Sequence, residues 1–194
     1  MASGHLTDNP QPGSEIRPWD VISTEPEEDF WILRVRRQVS ISPRTGEPHR
    51  VVIMDAPDWV NVIALTPDDH VVLIEQYRHG IGQVTLEIPG GMIDPGEDPT
   101  GAGLRELREE TGFAGDPAEL LGKVHPNPAF LSNACYTVLV RDARQIGELQ
   151  QDSGEDIAVR LVPLNDIPNL IASGAITHAL VIAAFHYLQL TEAK

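Results

Sequence analysis

The chain has 194 residues, 41% hydrophobic and 22% charged, enough for one globular domain of ordinary size with a buried core and an N-terminal appendage. Its formal net charge of -15 leaves no basic stripe to replace the counterions of a nucleic acid, which argues against that partner, and no stretch nears the ~20 apolar residues of a membrane span. The single cysteine, Cys135, cannot form an intramolecular disulfide; with no secretory signal in MASGHLTDNPQPGSEIRPW, it points to a reducing cytoplasm and reads as a small buried hydrophobe.

Residues 1–27 are rich in Gly, Pro, Ser and Asp and are predicted to be mobile. FWILRVRRQVSI (Phe30 to Ile41) alternates as a strand does, SPRTGEP is a turn, and HRVVIM pairs back to complete a β-hairpin. WVNVIAL and HVVLIEQYR are predicted strands joined as a second hairpin by TPDDH. VTLEI is a short strand ending at Pro89. Asp98 is placed as N-cap and Pro99 at N1 of a helix to about Thr111, with Gly112 in the left-handed position after it. NACYTVLV and EDIAVRLVPL follow as strands. IPNLIASG and THALVIAAFHYLQL, the latter with Thr177 as N-cap, close the chain as helices. The class is α+β, a mixed sheet packed by helices.

The central helix is chemically unusual. On a wheel, Leu104 and Leu107 share one side, with Ala102 near it, while Glu106, Glu109 and Glu110 cluster on the other at i, i+3 and i+4. Like charges at these spacings repel by a few tenths of a kcal/mol per pair. A solvated acidic face is one reading. The other is a metal site: the loop with Gly90, Gly91, Pro95 and Gly96 can fold back to bring Glu97 to the same face, and converging carboxylates suit Mg²⁺ or Mn²⁺.

Gly91, then Glu97, then the run from Arg105 to Phe113 (RELREETGF) resembles the signature of the Nudix hydrolases, with every fixed position of the box present. VVLIEQYR (Val71 to Arg78), LEIPGGMID, GEDIAVRLVPL and LIASGAITHALVIAAFHYLQL look like the ADP-ribose pyrophosphatase branch of that family, over residues 28 to 190. The resemblance implies an α/β/α sandwich with a mixed β-sheet in residues 58–194, preceded by N-terminal strands in 28–57 that form a homodimer. It implies Mg²⁺-dependent hydrolysis of a nucleoside diphosphate sugar, ADP-ribose to AMP and ribose 5-phosphate in the leading case. GDP-mannose, coenzyme A or a nucleoside triphosphate are the alternatives within enzymes. A non-catalytic ligand sensor is disfavoured, because Glu106, Glu109 and Glu110 are all kept and no DNA-binding module fits.

The same resemblance implies metal ligation by Glu106 and Glu110, with Glu109 sharing a metal and the Gly90 carbonyl as a backbone ligand. Arg105 is expected to orient Glu97 or Glu109. Arg78 is a candidate phosphate contact or a surface strand-end arginine, and Glu87 a candidate nucleotide or ribose contact. A proline shortly after the box accompanies ADP-ribose specificity in relatives, and Pro128 in HPNPAFLSN is close to that place. Phe30, Trp31 and Trp59 are candidate aromatic shelves for a base, or core. The general base is assigned to the acidic segment QQDSGEDIAV: Glu155 first, with Asp152 and Asp156 behind it.

Overall fold

The computed structural model describes residues 15–149 and 156–193. The chain divides into two compact units, residues 1–56 with 127–132, and residues 57–126 with 133–194.

In the first unit, β1 (Asp20–Thr24), β2 (Glu28–Asp29), β3 (Arg34–Ile41) and β4 (Pro48–Asp55) form one antiparallel sheet. β3 is its centre, pairing with β1, β2 and β4. The predicted hairpin of β3 and β4 is present, closed by Ser42 N–H to Glu47 O (3.0 Å) with Gly46 at φ 75°. Two expectations are corrected. Residues 20–24 are a paired strand. The strand predicted from Phe30 begins only at Arg34, because Trp31 lies at φ 68°, its N–H bonded to Asp29 Oδ1 (2.8 Å), and that local bond turns the chain before the ladder starts. Residues 127–132 join this unit through bonds between Met54 and both Phe130 and Ser132.

The second unit holds β5 (Trp59–Ala64), β6 (His70–Arg78), β7 (Gln83–Glu87), β8 (Gly90–Met92), α1 (Pro99–Thr111), β9 (Phe113–Ala114) and β10 (Ala118–Val124). After these come β11 (Cys135–Val140), β12 (Arg144–Gln145), β13 (Ile157–Pro163), α2 (Ile167–Ala172) and α3 (Ala179–Glu192). One sheet runs β10-β11-β5-β8, with β11 and β5 parallel and the other pairs antiparallel; a second, antiparallel, runs β13-β6-β7. TPDDH does make a tight turn, with Asp69 at φ 57° and Thr66 N–H on His70 O (2.9 Å). The strands on either side then part into different sheets after the single Leu65–Val71 bridge, so the predicted hairpin does not form.

The alternation of strand side chains decides the layering. Val60, Val62 and Ala64 of β5 pack with Ala102 and Leu107 of α1, while Ile63 and Leu65 pack with Val181, Phe185 and Leu188 of α3. The strands thus lie between α1 and α3, the α/β/α sandwich. Gly103 lets α1 close on the sheet: a Cβ there would stand 3.2 Å from Val62 and 3.3 Å from Val138. α3 departs from expectation at its start. His178, not Thr177, occupies the N-cap position, and it makes no side-chain capping bond.

Candidate active site

The site is built on α1 and the loop before it. Asp98 Oδ1 accepts from the N–H groups of Thr100 (3.0 Å) and Gly101 (3.1 Å), and Pro99 takes the first helical position, where its missing donor costs nothing. At the other end Gly112 adopts φ 70° and its N–H bonds Arg108 O (2.9 Å). A Cβ on Gly112 would also stand 2.4 Å from Gly147 O, so glycine is required there for two reasons.

Arg105 ties helix to loop. Its Nε and Nη2 donate to Glu97 Oε1 (3.2 Å) and Oε2 (3.0 Å), Nη1 to Glu106 (2.8 Å) and Glu109 (3.2 Å), and Nη2 also to Met92 O (3.0 Å). Those bonds, Glu97's first, hold the guanidinium still more firmly protonated, and Glu97 is held below the ordinary carboxylate range by Arg105. Glu97 therefore does fold back to the helix, through an arginine between the acids.

The helix face is not the solvated acidic stripe of the wheel. Glu110 is 5% exposed, buried beside Leu107 and Thr111, and its Oε2 accepts the Gly90 N–H at 2.8 Å. Glu106 reaches the neighbouring residue: a Cβ on Gly91 would lie 2.4 Å from its Oε1. Two carboxylates one turn apart thus converge on the Gly90–Gly91 backbone. Gly90 is itself confined, since a Cβ would stand 2.2 Å from Val60 O across the β5–β8 pair. Glu109 stays further out, its side chain 43% exposed. As they stand, no three Asp, Glu, His or Cys side chains among the described residues are grouped as a metal set. The donors nevertheless fit a hard cation by type: paired glutamate oxygens beside a main-chain strand whose glycines leave room.

Arg78 and Glu87 face the same side of the β6–β7 hairpin. Arg78 Nε and Nη2 donate to Glu87 Oε1 (2.9 Å) and Oε2 (2.7 Å), and Thr85 Oγ1 donates to Glu87 Oε1 (2.6 Å). Burial alone would push the Glu87 carboxyl up; the bonds from Arg78 and Thr85 outweigh it and hold it below the usual range. Arg78 also feels the charge of Glu110, which links this pair to that acid of α1.

The remaining candidates are dispersed. Trp59 is half-buried at the start of β5, paired with Cys135 and Met92. Trp31 (100% exposed), Phe30 and Pro128 belong to the first unit and are all exposed. Glu155 and Asp152 lie outside the described residues, and Asp156 is exposed just before β13. Cys135 is buried, its thiol pushed up to about 12 by burial and by Asp58. Sequence reasoning missed Thr85 and His178 as companions of Glu87. Thr85 was findable, being two residues before Glu87 on the same strand face. His178 is 91 positions beyond Glu87 in the sequence and carried no signal.

The NUDIX domain model matches residues 56–185. The chain belongs to the NUDIX domain family. Among curated relatives of this Nudix hydrolase, an ADP-ribose pyrophosphatase of Bacillus subtilis (strain 168) is 30% identical over 149 residues, 76% of this chain and 80% of that protein. A methanol dehydrogenase activator of Bacillus methanolicus is 30% identical over the same length and shares of the two chains. Among solved structures, a crystal structure of an ADP compounds hydrolase matches with TM-score 0.80 at 23% identity, covering 91% of this chain and 95% of that one, a likeness of fold. The Nudix match takes in α1, Arg78, Glu87 and His178.

Proposed function

We propose that this Nudix hydrolase adds water across the pyrophosphate bond of a nucleoside diphosphate sugar, ADP-ribose foremost, releasing AMP and ribose 5-phosphate. The observation that carries this reading is the convergence of Glu106 and Glu110 on the Gly90–Gly91 backbone, electrostatically joined to Arg78. The substrate class is taken from the ADP-ribose pyrophosphatase relative.

Glu106, Glu110 and the Gly90 carbonyl would hold Mg²⁺, with Mn²⁺ as a substitute, and Glu109 would share it. Such an ion neutralises pyrophosphate charge and lowers the pKa of bound water. Arg105 fixes Glu97, Glu106 and Glu109 in place, a positioning role. Arg78 keeps a guanidinium edge for phosphate while Glu87 grips the other, so the arginine is oriented before substrate arrives. Glu155 is the proposed general base, Trp31 or Trp59 the base-stacking surface, and Pro128 part of the sugar side. The working form is a cytoplasmic homodimer built through the first unit, acting on no nucleic acid and at no membrane; no helix among the described residues is long and apolar enough to cross one.

The test is turnover of ADP-ribose, GDP-mannose, UDP-glucose, NADH, coenzyme A and dGTP, each with Mg²⁺ and with Mn²⁺. ADP-ribose should give the highest kcat/KM. Turnover confined to dGTP or coenzyme A overturns the substrate class.

A further inference from the structure

His178 stands at the start of α3, and the hydrolysis proposed above makes no use of it. Its Nδ1 is buried with no hydrogen-bond partner among the described residues, 4.0 Å from Glu87 Oε2, while the side chain as a whole is 35% exposed. A buried ring nitrogen aimed at a buried carboxylate and left unbonded carries a desolvation cost that other arrangements avoid. The reason lies on the carboxylate. Glu87 Oε1 already accepts from Arg78 and Thr85, and Oε2 from Arg78. While Arg78 neutralises Glu87, a second cation there gains little. Burial keeps the imidazole below its ordinary value and Arg78 acts the same way, against the pull of Glu87. Glu87 from β7 and Arg78 from β6 are the charged groups that act on it among the described residues.

That balance is poised on Arg78. Its side chain is 43% exposed, whereas that of Glu87 is 3% exposed, so an anion from solvent reaches the arginine and not the glutamate. A pyrophosphate drawn to the guanidinium competes with Glu87 for one positive charge. The buried carboxylate is then under-compensated, and the unbonded Nδ1 beside it is the group placed to answer.

We propose that His178 is a positioning residue that takes one proton from solvent when an anionic phosphate engages Arg78, and in that state donates Nδ1–H to Glu87 Oε2. The proton comes from water and returns to it on product release, so no other reactant is consumed. Glu87 stays charged and in place in both states, first through Arg78 and then through Arg78 and His178 together. Substrate binding is thereby linked to protonation, and affinity tightens as pH falls from neutral toward the ordinary histidine range. This inference rests on the proposed role of Arg78 at the pyrophosphate.

The test follows the His178 ring resonance against pH in the full chain, identified by its loss in His178→Asn. With the non-hydrolysable α,β-methylene analogue of ADP-ribose bound, the midpoint should stand about one pH unit higher than in the free protein. The calorimetric binding enthalpy should depend on the ionisation enthalpy of the buffer, and this dependence should vanish in His178→Asn and in His178→Gln, the second variant covering a failure of the first to fold. An unmoved midpoint with analogue bound, or the same buffer dependence in the folded variants, overturns the proposal. Arg78→Gln supplies an arm free of ligand: removing the guanidinium should raise the His178 midpoint, and an unchanged midpoint overturns the coupling. A chain that neither binds the analogue nor turns over any nucleoside diphosphate sugar sinks the functional reading instead, and the Arg78→Gln titration then decides the coupling alone.

Discussion

Arg78 and Glu87 hold each other by two hydrogen bonds, 2.9 and 2.7 Å, yet one is 43% exposed at its side chain and the other 3%. The pair is therefore asymmetric. Removing the arginine strands a buried carboxylate; removing the charge on the glutamate leaves an arginine that can turn to water. Arg78→Ala should destabilise the fold by about 2–4 kcal/mol and Glu87→Gln by about 1 kcal/mol. Urea unfolding of the two variants reads this directly. Equal costs would mean that Glu87 finds water or another donor when Arg78 leaves.

The same cluster sets a pH dependence with a definite sign. Burial holds His178 neutral in the folded chain, so below about 6.5 the unfolded chain binds a proton that the native one does not. Stability should fall as pH drops from about 6.5 toward the lowered folded value, and His178→Asn should flatten that limb. Glu87, whose folded value is also lowered, contributes stability that is present above about 4.3 and is lost as pH falls further. The two losses are thus ordered, histidine first. Unfolding curves at pH 7.5, 6 and 5 for wild type and His178→Asn separate them; parallel curves for both proteins would remove His178 from the account.

Gly90 and Gly91 are adjacent and should fail differently. A Cβ on Gly90 meets main chain, Val60 O at 2.2 Å, which cannot move without parting β5 from β8. A Cβ on Gly91 meets the end of the flexible Glu106 side chain at 2.4 Å. Gly90→Ala should cost about 3 kcal/mol or more, while Gly91→Ala should cost about 1 kcal/mol or less and displace the Glu106 carboxylate. The second variant should then need far more Mg²⁺ for half-maximal turnover. A Gly91→Ala protein with unchanged metal dependence would separate Glu106 from the metal.

Much of the frame was legible because its signals are local. Asp98, Pro99 and Gly112 mark the ends of α1, and HVVLIEQYR coincides with β6. What stayed hidden depends on partners distant in sequence. Nothing within TPDDH says that β5 will pair in parallel with Cys135–Val140, so the predicted turn is present and the predicted hairpin is not. Glu110 sits on the acidic side of a helical wheel, but its burial is set by the Gly90 amide twenty residues earlier. Gly90–Met92 is only three residues long and rich in glycine, and periodicity has nothing to detect there.

The first unit presents Val21 (54% exposed), Phe30 (54%), Trp31 (100%) and Ile32 (63%) to its surroundings. Apolar exposure of this kind fits the proposed homodimer, in which a second copy would cover it. Light scattering at micromolar concentration should give twice the mass of the chain, and Trp31→Ser with Phe30→Ser should shift the balance toward monomer. A monomeric wild type would sink the dimer.

The general base is the remaining assignment, and kinetics can isolate it. β13 begins at Ile157, paired with Gln76, and Arg78 lies two residues beyond Gln76 on β6. Glu155 lies two residues before Ile157 in the sequence. A carboxylate that takes the proton of the attacking water acts only in the transition state. Glu155→Gln should therefore lower kcat by about 10²- to 10⁴-fold with little change in KM. Glu110→Gln removes a buried carboxylate bonded to Gly90 and should cost more, because it disturbs the proposed ion and the strand together. Glu110→Gln should also shift the Mg²⁺ dependence, which Glu155→Gln should leave alone. Single-turnover rates across a Mg²⁺ series make the comparison. A silent Glu155→Gln beside a crippled Asp152→Asn or Glu109→Gln would move the base to one of those residues and leave the Nudix assignment intact.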